Sequence, residues 1–238
     1  MKAARKLQWP QKESDLAAPV IEYLQDLRWE VYQEVQTGYA GDIADIVARQ
    51  GKLLWVIELK KSLSLEVIAQ AQIWSRYAHY ASVAIPTRTR SRTSKGRELA
   101  DRIMAERGIG CIKVQGPESY QPEPMVVTRG VVAARLNRKA SSDKLRNSLC
   151  EEQKTFATAG NSDGKRWTPF QRTCREVLNA VTKKPGLNMK ELVDAVDHHY
   201  ASDAGARAHL AGWIQEGVVD GVEARREGRC LRVYPIQA

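Results

Sequence analysis

Residues 45–60 read Asp-Ile-Val-Ala-Arg-Gln-Gly-Lys-Leu-Leu-Trp-Val-Ile-Glu-Leu-Lys, two runs of β-branched and aliphatic residues around Gly51. That pattern is a β-hairpin. If the chain reverses between Gly51 and Lys52, facing residues have numbers that sum to 103, and Asp45 lies opposite Glu58. Strand side chains alternate with period two. Glu58 therefore shares a face with Val56 and Lys60, while Trp55, Ile57 and Leu59 point the other way, into apolar packing. One short hairpin brings two carboxylates and an amine together. An E-x-K on its own reads as a surface strand with a salt bridge from Glu58 to Lys60 or Lys61. Asp45 changes that reading, because carboxylates directly opposite each other repel. A divalent cation between them removes the cost, and oxygen ligands at a strand edge suit Mg²⁺ or Mn²⁺.

On the N-terminal side, Leu16, Val20, Leu24 and Leu27 recur at helical spacing. Pro19 is awkward inside a helix, so the regular helix is expected to begin near Pro19, with Glu13 in an irregular lead-in. Residues 30–35, EVYQEV, alternate as a strand. Downstream, residues 63–81 read as a helix, 82–86 as a buried strand, 97–110 as a helix stopped by glycines and 111–114 as a short strand. The order α-β-β-β-α-β-α-β predicts an α/β domain over residues 1–118, a mixed sheet flanked by helices.

Periodicity weakens over residues 119–166. Basic residues outnumber acidic ones by eleven to five between Arg129 and Glu176, and the stretch reads as a basic linker. Order returns over residues 167–238. Pro169 suits the first turn of a helix, and Asn188 with Glu191 forms a capping box for a second. A third helix spans 203–217, and two strands follow around Glu227-Gly228. Three helices and a hairpin are the order of a winged helix, so a small winged-helix-like domain is expected here.

The 238 residues carry 37 Lys and Arg against 28 Asp and Glu, a net charge of +9, which favours an acidic partner such as nucleic acid. No run approaches the roughly 20 apolar residues of a membrane span. The opening MKAARKLQWPQKES is basic and lacks the apolar segment of a secretory signal. The expectation is a cytoplasmic protein with no membrane partner. Cys111, Cys150, Cys174 and Cys230 include no C-x-x-C pair and read as free thiols. The four histidines have no metal-ligand spacing.

The blocks ESDLAAPV (13–20), EVYQEV (30–35), ADIVA (44–48), WVIELK (55–60), QAQ (70–72) and AHYASVAIP (78–86), taken in order, resemble the PD-(D/E)xK nuclease superfamily. More narrowly, they are similar to a bacterial and phage branch in which a basic linker and a small helical domain follow the core. The resemblance implies a restriction-endonuclease-like fold and Mg²⁺-dependent hydrolysis of DNA phosphodiester bonds, with Mn²⁺ as a substitute. It implies Asp45, Glu58 and Lys60 as the motif residues, Glu13 as an added metal ligand on the first helix, and Gln70 as a helix residue at the site. Two positions depart from the pattern: Ala44 stands where a proline precedes the aspartate, and His79 where an acid is more usual.

Asp42 competes with Asp45 but would face away in a strand and follows Gly41 in a loop. Glu34, on the adjoining strand, reads as an added ligand or a solvent-facing residue, and Glu22 as solvated. Trp74 and Tyr77 read as packing residues. The run from Thr87 to Arg97 places Arg88, Arg90, Arg92, Lys95 and Arg97 where a duplex could pass, each phosphate contact adding salt-dependent affinity. Arg225, Arg226, Arg229 and Arg232 cluster on the C-terminal hairpin and suit the phosphate backbone. Arg207, His209 and Gln215 on the third helix offer little base readout. A protein partner for the C-terminal domain and a homodimer stay open. The second reading of the whole chain is a non-catalytic DNA-binding or adaptor protein with a nuclease-like core.

Overall fold

The computed structural model describes residues 10, 12–37, 42–87, 94–115, 126–129, 132–161 and 166–236. They form two compact units that divide between Trp167 and Thr168.

In the first unit a 3-10 turn, Glu13–Leu16, leads into α1, Ala17–Asp26. Pro19 thus falls in the first turn of α1, where its missing N–H costs nothing. Strands β1 (Glu30–Gln36), β2 (Ile43–Gln50) and β3 (Leu53–Leu59) form an antiparallel meander. Helix α2 (Leu65–Trp74), capped by Ser64, crosses to β4 (Tyr80–Thr87), which runs parallel to β3. Helix α3 (Lys95–Arg107) crosses to β5 (Gly110–Gln115), parallel to β4, and β6 (Val126–Arg129) closes the order antiparallel to β5. The result is a six-stranded mixed sheet in sequence order, flanked by helices.

Helix α1 covers one face, with Leu16, Val20 and Leu24 packed on Ile46, Ile57, Leu59 and Ala84. The other face is covered by α2 and α3. Val67, Ile68 and Met104 pack on Val83, Ile85 and Cys111, and Trp74 packs on Val47 and Val56. The β2–β3 pairs run from Gln50↔Leu53 to Ile46↔Ile57, which is the register with numbers summing to 103.

The expectation of a linker over residues 119–166 is corrected for 132–161, which fold onto the sheet. Val126–Arg129 is a strand, and Asp143–Asn147 is a short helix, α4. Leu145 is fully buried beside Tyr32, Leu54 and Trp74. Arg146 donates to the carbonyls of Gly51 and Lys52 at the hairpin turn, and Arg135 to those of Ala105 and Glu106 at the end of α3. Residues 154–161, and Arg166 beyond them, lie beside edge strand β1. There Gln33 donates to the Lys154 carbonyl and accepts from the Ala159 N–H, and Arg166 donates to Gln36. Side chain-to-backbone bonds carry no periodicity, so this docking leaves no pattern in the sequence. It covers an edge that would otherwise present unpaired backbone groups.

The second unit contains α5 (Pro169–Lys183), β7 (Leu187–Asn188), α6 (Met189–Ala195), α7 (Asp203–Gln215), β8 (Val222–Glu227) and β9 (Cys230–Pro235). Thr168 and Gln171 form a capping box, as do Asn188 and Glu191. The small sheet has the order β7-β9-β8. Val177, Leu192, Leu210, Val222 and Val233 pool in one core of its own.

Leu145 distinguishes a docked segment from a linker. Leu145→Ala is expected to cost about 2–5 kcal/mol of first-unit stability, the range for a fully buried leucine, read by chemical denaturation. A loss within about 0.5 kcal/mol, as at an ordinary surface position, would return the segment to linker status.

Candidate active site

The β2–β3 ladder ends at Ile46↔Ile57, whereas the β3–β4 ladder continues to Leu59↔Ala84. Beyond Ile46 the Leu59 N–H has no β2 carbonyl to meet. It donates instead to Asp45 Oδ2 at 2.7 Å. Asp45 thus sits at the fork between the strands, its side chain 14 % exposed. Glu58, the next residue along the register, is 5 % exposed, and the two carboxyls hydrogen-bond each other.

Burial, then the neighbouring Asp45 charge, pushes Glu58 up to about 8. Burial also raises Asp45, opposed by the Lys60 charge and the Leu59 N–H. The pair therefore keeps a proton above the usual carboxylate range. Glu58 Oε1 accepts from the Trp74 indole N–H at 2.6 Å. Lys60 Nζ lies 3.2 Å from Glu13 Oε2 and 3.9 Å from Asp45 Oδ2. Burial works against the ammonium, but Asp45, Glu13 and Glu58 outweigh it and hold Lys60 above its ordinary value.

Asp45, Glu58, Lys60 and Glu13 are therefore brought together, Glu13 by way of Lys60. Gln70 lies one helical turn before Trp74 on α2, on the same helix face. Its Oε1 is buried and has no hydrogen-bond partner among the described residues. Among the described residues no group of three or more His, Cys, Asp or Glu side chains is gathered to hold a metal ion.

Two residues gain a part that the sequence reading understated. Trp74 packs in the core and also orients Glu58; an aromatic at a buried helical position gives no sign of which polar atom its N–H will meet. Glu34 is 7 % exposed and close enough to Asp45 for the two charges to act on each other. Its φ of +52° departs from the strand geometry that simple alternation assumes.

Other candidates lie elsewhere. Asp42 and Glu22 are exposed. His79 ties the far end of β3, with Nδ1 accepting from the Leu54 N–H at 3.2 Å. Tyr77 stacks edge-on against Trp74, and Lys144 lies over its ring. Arg97 pairs with Asp101 on α3 and reaches Cys111 Sγ. Arg88, Arg90 and Arg92 lie outside the described residues.

In the second unit, Arg225 pairs with Glu223 and lies over the Tyr234 ring, and Arg232 donates to the Gly186 carbonyl and pairs with Glu227. The hairpin itself thus occupies two of the four arginines. Arg226 and Arg229, nearer its tip, are exposed.

No family model matches the chain, and no curated protein matches it. A solved structure described as "Crystal Structure of Protein of Unknown Function AF1548" aligns over 88 % of this chain and 100 % of its own. The alignment has 15 % identity and a TM-score of 0.33, a likeness that supports no inference. Among the described residues no helix is long and apolar enough to cross a membrane.

The raised Glu58 carboxyl has a stability consequence. Between its ordinary value of 4.5 and about 8, the unfolded chain has released this proton while the folded chain keeps it. Folding therefore weakens as pH rises through that window. Glu58→Gln keeps an acceptor for Trp74 and a donor for Asp45 and removes the titration. In chelator at pH 8 the variant is expected to melt above wild type by at least about 2–4 °C, the response to about 1 kcal/mol in a chain of this size. The gain should vanish near pH 4.5. A lower melting point at pH 8 would mean that burial does not raise the Glu58 carboxyl.

Proposed function

We propose that the chain is a metal-dependent deoxyribonuclease of PD-(D/E)xK type. In this reading the first unit is a restriction-endonuclease-like catalytic domain and the second a winged-helix-like domain. The observation that carries the reading is the buried Asp45–Glu58 carboxyl pair on neighbouring strands, with the Lys60 ammonium 3.9 Å from Asp45.

Two buried acids that share one proton are a poor arrangement for stability alone, and a cation able to displace that proton resolves it. Asp45 and Glu58 would hold Mg²⁺, or Mn²⁺ in its place, with Glu13 flanking. One or two carboxylates suffice for Mg²⁺, which takes its remaining ligands from water and substrate phosphates. The buried, unpartnered Gln70 Oε1 offers a further acceptor on the α2 side. Such an ion polarises a phosphoryl oxygen and lowers the pKa of a bound water.

The chain's own groups set up the rest. Lys60 is held charged by three acids, so its work is to stabilise negative charge developing on the phosphate and to orient water, not to remove a proton. Trp74 fixes the Glu58 carboxyl through its indole N–H. DNA is the proposed substrate because the chain carries a net charge of +9. The order α5, β7, α6, α7, β8, β9 supports the winged-helix reading, with Arg226 and Arg229 as its free cations for phosphate and a protein partner as the competing use. Four free cysteines suit a reducing, cytoplasmic setting.

Lys60→Ala is expected to keep fold and DNA affinity but to lose about 10²-fold or more in single-turnover cleavage of a labelled duplex, as for removal of one preorganised charge-stabilising group. Lys61→Ala, at an exposed position, should stay close to wild type. Both are measured in Mg²⁺ and in Mn²⁺. Wild-type rates in Lys60→Ala would remove its catalytic role. A wild-type protein that binds DNA yet cuts no duplex, single-stranded or branched substrate would establish the adaptor reading instead.

A further inference from the structure

The candidate site extends into the stretch that reads as a linker. Every β1–β2 pair has residue numbers that sum to 79, and Glu34 is the residue that this register sets opposite Asp45. No pairing is made there, and Glu34 takes φ +52° instead. A left-handed non-glycine inside a strand costs about 1–3 kcal/mol and persists only where its surroundings over-determine it. What surrounds Glu34 is the segment 159–161. The Gly160 N–H donates to Glu34 Oε1 at 2.8 Å, and the Asn161 backbone donates to the same carboxylate. Ala159 anchors the segment, fully buried in the α1 face of the core and bonded through its N–H to Gln33.

Gly160 makes a second contact. At φ +71° a β-carbon there would lie 3.1 Å from the Glu13 carbonyl carbon, 3.2 Å from the Ser14 nitrogen and 3.3 Å from Glu13 Cβ. The glycine is wedged against the turn that carries Glu13 while it holds Glu34. Glu13 in turn bonds Lys60, and Glu34 adjoins Asp45. One residue thus sets two acids that flank the Asp45–Glu58 pair from different elements.

We propose that Ala159–Asn161 is a clasp built into the active site, in which Gly160 is the positioning residue for Glu13 and Glu34 and thereby for divalent-cation binding at Asp45 and Glu58. The proposal rests on the nuclease reading above. It adds Ala159–Asn161 to the catalytic domain.

The test compares two alanines with like backbone strain. Gly160→Ala adds a methyl group that must push the Glu13 turn by a few tenths of an ångström. Gly51→Ala, at φ +58° in the β2–β3 turn, meets nothing within 4 Å. Calorimetric Mn²⁺ titration and cleavage kinetics are run on both full-length variants and on wild type. Gly160→Ala is expected to weaken Mn²⁺ about tenfold or more, the scale of lost outer-shell support, and to lower kcat with KM for DNA unchanged. Gly51→Ala should match wild type in both. If Gly160→Ala does not fold, Glu34→Gln decides, since it keeps an acceptor for Gly160 and removes the charge beside Asp45; weaker Mn²⁺ binding is expected. Equal Mn²⁺ affinity in wild type, Gly160→Ala and Glu34→Gln would overturn the clasp and leave the nuclease reading standing. A wild type that neither binds Mn²⁺ nor cuts would overturn that reading, and the clasp with it.

Discussion

The constraint on which the first unit turns is the parting of β2 from β3 after the Ile46↔Ile57 pair. Had the antiparallel ladder continued, the Leu59 N–H would have met a backbone carbonyl. Because the strands diverge, that donor meets the Asp45 carboxylate, and the carboxylate is drawn to the fork beside Glu58. Everything that makes the site unusual follows from this exchange: two acids in apolar surroundings, a proton shared between them, and an ammonium group drawn in from the strand end. The neighbouring parallel β3–β4 ladder stays intact, and the Lys60 N–H still donates to the Ala84 carbonyl. Lys60 therefore has a fixed backbone from which to reach across.

A fork of this kind works against folding and has to be supported from outside the sheet. Trp74 supplies a hydrogen bond from α2, Glu13 an opposite charge for Lys60 from the turn before α1, and Ala159–Asn161 a set of backbone donors along β1. The support thus comes from both faces and from one edge. Segments that look peripheral in the chain, the lead-in to the first helix and the basic stretch after β5, are the ones that hold the acids in place. The second unit is organised differently. It has its own apolar core and capped helices, and its hairpin arginines are divided between internal partners and solvent.

The part of this arrangement that was legible in the sequence rests on period two. A turn at Gly51 sets the register, and the register sets Asp45 against Glu58. Alternation also sorts Trp55, Ile57 and Leu59 onto the α1 face. The helix spacing of Leu16, Val20 and Leu24 predicts the face that α1 buries. What could not be read has a physical cause in each case. Glu34 escapes alternation because its backbone is left-handed, and no residue type there announces it. Trp74 resembles any core aromatic, since the partner of its N–H is fixed only when α2 docks on β3. Residues 132–161 bury few apolar groups, Leu145 and Ala159 among them, and are held mainly by side chains bonding to distant backbone. Such contacts have no spacing to detect, so a folded, docked segment passes for a basic linker.

The account stands or falls on whether the Asp45–Glu58 pair exists to hold a divalent cation. Calorimetric titration of Mn²⁺ into the wild-type protein and into the Asp45→Ala, Glu58→Ala double variant tests this most directly, because it needs no substrate and no turnover. The account predicts a binding event in wild type that exchanges for the shared proton and is lost in the double variant. The same Mn²⁺ affinity in both proteins would contradict it.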